Sequence, residues 1–185
     1  WIIRDIKDMK FIQSKISGCQ IIQSNIIKDN RGAFTKNFNK NIFIKNNINQ
    51  NFDECYFSRS KKGVIRGMHF QVSPHEISKL IFCSEGEIID VFLDIRPSSK
   101  TYGQFDTVKM TSENGIHIFL PKGIAHGFQV ISKNATVHYL QSGVYEKKSD
   151  CGILWNSFGF KWPLNNPILS DRDSSFQEFK DYSKY

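Results

Sequence analysis

From Phe52 to Tyr145 short apolar runs alternate with turn signals, a rhythm that selects consecutive β-strands and leaves little room for long helices. Leu80 to Phe82 run into Glu85-Gly86, and Ile88 to Ile95 follow as a near-continuous apolar stretch interrupted only by Asp90 and Asp94, which predicts a hairpin with a tight turn. Asn114-Gly115 leads into Ile116 to Leu120, Pro121-Lys122-Gly123 marks another turn, and Phe128 to Ile131 and Ala135 to Leu140 come next. At least six strands at this spacing predict an all-β, closed or folded antiparallel barrel. Helical signal concentrates at the C-terminus, where Ser170 precedes Asp171, Arg172 and Asp173, with Phe176 and Phe179 at helical spacing. The Asn/Lys-rich run at 37–51 is the one biased segment, and Lys36 to Lys45, which overlaps it, reads as a solvated surface.

Length and composition narrow the class further. The 185 residues suffice for one sizeable core and hold no Pro/Gly/Ser-rich linker, so the expectation is a single domain over 1–185. Residues 1–8, ahead of Met9, are set aside as upstream and carry no functional argument. Sixteen phenylalanines are too many for a disordered chain. The net charge of +7 is spread along the chain without a basic helix or an aromatic-basic motif. That argues against nucleic acid as partner and suits a phosphorylated small molecule. Cys19, Cys55, Cys83 and Cys151 lie far apart, in no CxxC pair, as expected of reduced thiols in a cytoplasmic protein without a zinc site. Charges within the first apolar run read as neither a signal peptide nor a membrane span, so no membrane partner is expected.

Several polar residues occupy places where a barrel interior would hold apolar ones. Arg66-Gly67-Met68-His69-Phe70-Gln71 opens a β region, and strand alternation would send Arg66 and His69 to opposite faces unless the chain bends or bulges at Gly67. Lys79 opens the next strand, His126 follows a turn, and Tyr139 shares a face with Val137. Each has an ordinary explanation. A strand histidine is usually hydrogen-bonded and structural, a lone lysine a surface residue, a tyrosine a core aromatic, and Ser170-x-x-Asp173 resembles a capping box.

Taken in order, however, these segments resemble the dTDP-4-dehydrorhamnose 3,5-epimerase family. The resemblance runs from Asp29-Asn30-Arg31-Gly32 through Arg66 to Gln71, Lys79-Leu80, Gly86 to Val91, Asp94-Ile95-Arg96 and Tyr102-Gly103. It continues through Pro121 to Phe128, Gly152 to Asn156 and Pro167 to Asp173. It implies a cupin-type, jelly-roll-like antiparallel β-barrel with a few short, mainly C-terminal helices, an isomerase acting on a nucleotide-sugar, and no cofactor or metal. It further implies His69 as base, Asp173 as its orienting carboxylate, Lys79 as the charge facing an enolate oxygen and Tyr139 as acid. Arg31, Arg66, His126 and Arg172 would hold the nucleotide-sugar, with Lys79 beside it. Similar enzymes are homodimers with swapped N-terminal strands, so a homodimer is expected, with Arg31 reaching the partner's site.

The departures from the pattern fall at nucleotide-contacting positions. Val144 stands where a base-stacking aromatic is expected, Lys36 replaces a glutamate, and Glu54-Cys55-Tyr56 replaces Gln-Asp-Asn. Glu54, Tyr56 and Val144 are therefore substrate-binding candidates that point to another base or sugar, such as a GDP-linked heptose or 6-deoxy sugar. Whether C3, C5 or both are inverted stays open. So do three other readings: a sugar-nucleotide ketoisomerase, a metal-dependent cupin and a non-catalytic cupin. The metal reading is weakened because His69-Phe70-Gln71 lacks the second histidine of an H-x-H pair.

Overall fold

A computed structural model describes residues 9–182, so the segment set aside ahead of Met9 lies outside the described residues. Two antiparallel sheets face each other. The first has six strands in the order β1 (Lys10–Gln13), β2 (Gln20–Gln23), β10 (Ile116–Leu120), β7 (Lys79–Glu85), β12 (Asn134–Gln141) and β5 (Glu54–Lys61). The second has five, in the order β13 (Asp150–Gly152), β6 (Ile65–Gln71), β11 (Ile124–Val130), β8 (Glu87–Asp94) and β9 (Phe105–Thr111). A two-stranded ribbon of β3 (Ile26–Asp29) and β4 (Gly32–Thr35) stands apart. This is the expected jelly-roll-like cupin barrel.

The apolar pattern explains the layers. Ile81, Val137 and Ile118 of the first sheet and Phe92, Phe128 and Val130 of the second are fully buried in one cluster between the sheets. The opposite face of the second sheet is covered as well. Val91, Leu93, Met68 and Phe70 pack against Ile153, Phe158 and Trp162 of the C-terminal segment. Burial on both faces is why β8 and β11 read as near-continuous apolar runs, since neither face is left to water.

Two expectations need correction. The Leu80 to Ile95 stretch is not a hairpin: β7 pairs with β10 and β12, whereas β8 pairs with β9 and β11. Gly86 is instead a corner that carries the chain from one sheet to the other. Its φ is +77°, and a Cβ there would lie 2.0 Å from the Asn134 carbonyl oxygen, so no larger residue fits without a shift. The stretch from Lys36 to Lys45 is also not simply a solvated surface. It forms helix α1 (Lys40–Lys45), capped by the Asn39 side chain accepting from the Ile42 N–H, and it buries Phe43 in a third cluster with Ile22, Leu80 and Phe119. With six residues and one buried position, it offers no helical periodicity to detect.

At the C-terminus the expected helix is short: α2 (Asp171–Ser174), with Phe176 beyond its end and Phe179 in a separate 3-10 turn. Ser170 is its N-cap, accepting from the Asp173 N–H at 3.1 Å. All four cysteines are free. Among the described residues no helix is long and apolar enough to cross a membrane.

Candidate active site

A cavity of about 530 Å³ opens between the sheets. Strand β6 supplies Arg66 and His69 from one wall; β7, β12 and β5 supply Lys79, Tyr139 and Glu54 with Tyr56 from the other. His126 of β11 and Arg172 of α2 complete the set. The bend anticipated at Gly67 is present. His126 is paired with His69 and Phe128 with Arg66, three steps on β6 against two on β11, a β-bulge that turns both Arg66 and His69 inward. The close approach leaves no room for a side chain, because a Cβ on Gly67 would sit 2.5 Å from the Gly127 Cα.

His69 is held by α2. Its Nε2 lies 2.8 Å from Asp173 Oδ1, and Asp173 Oδ2 accepts the Gly67 N–H at 3.1 Å. The Ser170 cap therefore sets the backbone of Asp173 while its carboxylate faces the imidazole. Burial is the main influence on His69 and lowers its pKa; Asp173 opposes this, and Lys79 and Arg172 reinforce it. The favoured form is neutral imidazole, with Nε2–H donated to a carboxylate whose own pKa is lowered by His69 against its burial.

Lys79 is 7 % exposed and its pKa is brought down to about 8, chiefly by desolvation. Its Nζ donates to the His69 carbonyl oxygen at 3.3 Å, reaching from the first sheet to the second. Tyr139 is buried, and burial raises its pKa, so the phenol stays protonated across the neutral range. Tyr56 stacks on it with ring centroids 4.9 Å apart.

Behind these residues lies a pair that sequence reasoning only half identified. His126 Nε2 is 2.8 Å from Asp90 Oδ2, and both side chains are almost wholly buried. Burial drives the carboxyl up and the imidazole down, which favours a neutral pair. Among the described residues Asp90 Oδ1 has no hydrogen-bond partner. The signal was the acidic residue interrupting the apolar run of β8.

At the mouth, Arg172 pairs with Asp150 at 2.8 Å, and the Tyr145 hydroxyl donates to the same carboxylate at 3.0 Å. Gln141, Gln71, Tyr145 and Asp150 line the cavity and were not singled out in advance. Asp150 reaches it because β13 pairs with β6, placing Asp150 beside Gln71, a register that local sequence does not encode. Two expected residues do not line the cavity. Arg31, on the β3–β4 ribbon, pairs with Asp29. Val144 is 66 % exposed and lines a separate shallow hollow beside Asp53 and Lys122. Among the described residues no group of three or more His, Cys, Asp or Glu is placed to hold a metal ion.

The barrel gathers around one cavity a neutral imidazole bonded to a carboxylate, a lysine of lowered pKa and a protonated tyrosine, the kinds of group that proton transfer uses. The family profile described as dTDP-4-dehydrorhamnose 3,5-epimerase matches residues 13–181. The enzyme of that name from Shigella flexneri is 38 % identical over 176 residues, covering 94 % of this chain and 97 % of its own. A crystal structure of the dTDP-6-deoxy-D-glucose-3,5-epimerase from Legionella pneumophila, in complex with dTDP-4-keto-L-rhamnose, superposes with a TM-score of 0.90 at 34 % identity and 95 % coverage of both chains. A 3'-monoepimerase from Streptomyces bikiniensis in complex with dTDP-quinovose gives a TM-score of 0.84 at 26 % identity, covering 89 % of this chain and 85 % of its own. The chain belongs to the dTDP-4-dehydrorhamnose 3,5-epimerase family and is an isomerase of the epimerase type.

Proposed function

We propose that this chain inverts a carbon beside the keto group of a nucleotide-diphosphate-linked 4-keto sugar. The observation that carries the reading is the placement of His69 and Tyr139 on opposing sheets around one cavity, with Lys79 reaching across to the His69 carbonyl oxygen. A 4-keto group acidifies the neighbouring C–H bonds because the resulting carbanion delocalises into an enolate. His69, with Nε2–H committed to Asp173, keeps a lone pair on Nδ1 for that proton. Asp173 orients the imidazole and stabilises its charged form. The Lys79 ammonium offsets the charge that develops on the enolate oxygen. Tyr139 returns a proton from the opposite wall, so the carbon inverts. Arg66 and Arg172 suit bidentate contact with a diphosphate, with His126, Glu54 and Tyr56 along the sugar. No cofactor is required by this chemistry.

The substrate we favour is a sugar nucleotide other than the dTDP-linked 6-deoxyhexose, with GDP-linked sugars the first to try. Support comes from Val144, exposed where the family pattern has an aromatic, and from Glu54 and Tyr56 on the cavity wall. A missing stacking platform weakens binding by roughly 1–3 kcal/mol when nothing replaces it. The setting that fits such an activity is surface-polysaccharide sugar synthesis in the cytoplasm by a homodimer, each chain one domain, with Arg31 serving the partner's site.

Incubation in D2O with dTDP-, GDP- and CDP-4-keto sugars tests the reading by mass. Deuterium enters one of them with wild-type protein, and His69→Asn lowers that rate by about 10²–10⁴-fold while ligand still binds. Absence of exchange with every sugar overturns the epimerase reading. Calorimetry decides the base: tight binding of dTDP alone, with none of GDP or CDP, overturns the altered specificity.

A further inference from the structure

Tyr56 departs from the family pattern, and the structure gives it a definite neighbour. Tyr56 and Tyr139 are directly opposed in the β5–β12 ladder, so the backbone register itself brings the two side chains together. Their rings are stacked, 16° from parallel with centroids 4.9 Å apart. The far end of Tyr56 is tied down too. Its hydroxyl donates to Gln141 Oε1 at 3.0 Å, and Gln141 Nε2 donates to Glu54 Oε2 at 2.8 Å. Gln141 is 3 % exposed, and Glu54 also accepts the Tyr145 backbone N–H at 3.1 Å. The Tyr139 ring also makes a T-shaped contact with the His126 ring, centroids 6.1 Å apart, and His126 is fixed by Asp90. The Tyr139 ring thus packs against both an anchored tyrosine and an anchored histidine, which hold it in place.

That matters because a 4-keto sugar has two acidic carbons, one on each side of the carbonyl. A phenol free to swing serves both; a clamped one serves the carbon it faces. We propose that Tyr56 is a positioning residue that holds Tyr139 in one orientation and so restricts inversion to a single carbon. This deepens the proposed function and rests on it. In the step concerned, the enolate carbon–carbon electron pair forms the new C–H bond and the Tyr139 O–H bond breaks; solvent then returns a proton to the phenolate and takes up the one that His69 removed. The asparagine of the family pattern at this position would present no aromatic face to Tyr139.

The test follows deuterium from D2O, by NMR, into a 4-keto sugar nucleotide with wild type, Tyr56→Phe, Tyr56→Leu and Tyr56→Asn. Wild type is expected to label and invert one carbon; Tyr56→Phe, which keeps the stacked ring but loses the tie to Gln141, is expected to invert the same carbon at a lower rate. Tyr56→Leu and Tyr56→Asn are expected to label the second carbon or to exchange with retention. Their inversion is slower by up to about 10²-fold, the scale set by misplacing a reacting group by about 1 Å. Labelling of both carbons by wild type, or a wild-type pattern in the Leu and Asn variants, overturns the proposal and leaves the epimerase reading standing. Loss of all exchange in both variants while Tyr56→Phe stays active assigns Tyr56 a purely structural role and overturns it as well. No exchange by wild type overturns both readings together.

Discussion

The charge states of single residues set the working pH of the proposed chemistry. His69 must be neutral to accept a proton, and burial keeps its pKa below the ordinary histidine value, so activity rises with pH through a point under 6.5. Lys79 must be charged to face the enolate, and burial brings it to about 8, so activity falls as pH passes that value. Tyr139 stays protonated throughout and adds no limb in this range. The expected kcat/KM profile is a bell with its alkaline side near pH 8, reporting the free enzyme. Lys79→Arg removes the alkaline limb, because a guanidinium does not titrate there, although the altered shape lowers the plateau. An alkaline limb that stays near 8 in this variant would detach it from Lys79. Most of these residues were legible in the sequence because their types and order matched a family. Asp90 announced itself as a break in an apolar run. Asp150 did not, since only the β6–β13 register brings it to the mouth of the cavity.

Short elements do the positioning. Helix α2 has four residues, too few to be stable by itself, and it is held by its Ser170 cap and by Asp173 packing under β6. Ser170→Ala removes the cap and is expected to cost about 1 kcal/mol of stability. In the proposed mechanism the same change loosens Asp173 and with it the His69 imidazole. Turnover should therefore fall further than the loss of stability explains, with KM little changed. Urea unfolding read beside the D2O exchange rate separates the two effects, and an unchanged exchange rate would show that Asp173 is placed without its cap. The capping pattern was visible in the sequence; that the carboxylate points at His69 was not, because it depends on a contact 104 residues away. The Gly86 corner failed in the other direction. Its local signal is the same as for a hairpin, and only the side-chain demands of two different sheets decide that the strands part. The bend at Gly67 was deducible because two polar residues had to share one pocket.

Across the whole molecule, two sheets closed over a polar cavity leave the charge distribution as the remaining guide to substrate. The net charge is +7, yet the cations are dispersed, and Arg66, Lys79 and Arg172 converge on the cavity, where Glu54 and Asp150 also stand. A low-dielectric cleft concentrates the field of such groups and draws an anion toward it, an effect that salt weakens as the screening length shortens from about 10 Å at 0.1 M to about 3 Å at 1 M. A diphosphate-linked sugar carries its negative charge on the phosphates, away from the reacting carbons. Screening should therefore act on capture far more than on proton transfer inside the closed site. Raising ionic strength is expected to lower kcat/KM progressively while kcat stays nearly constant, and Arg172→Gln should flatten that dependence as well as raise KM. A kcat/KM that does not respond to salt would show that the positive surface has no part in gathering the substrate, and that recognition rests on contacts made after the ligand has entered.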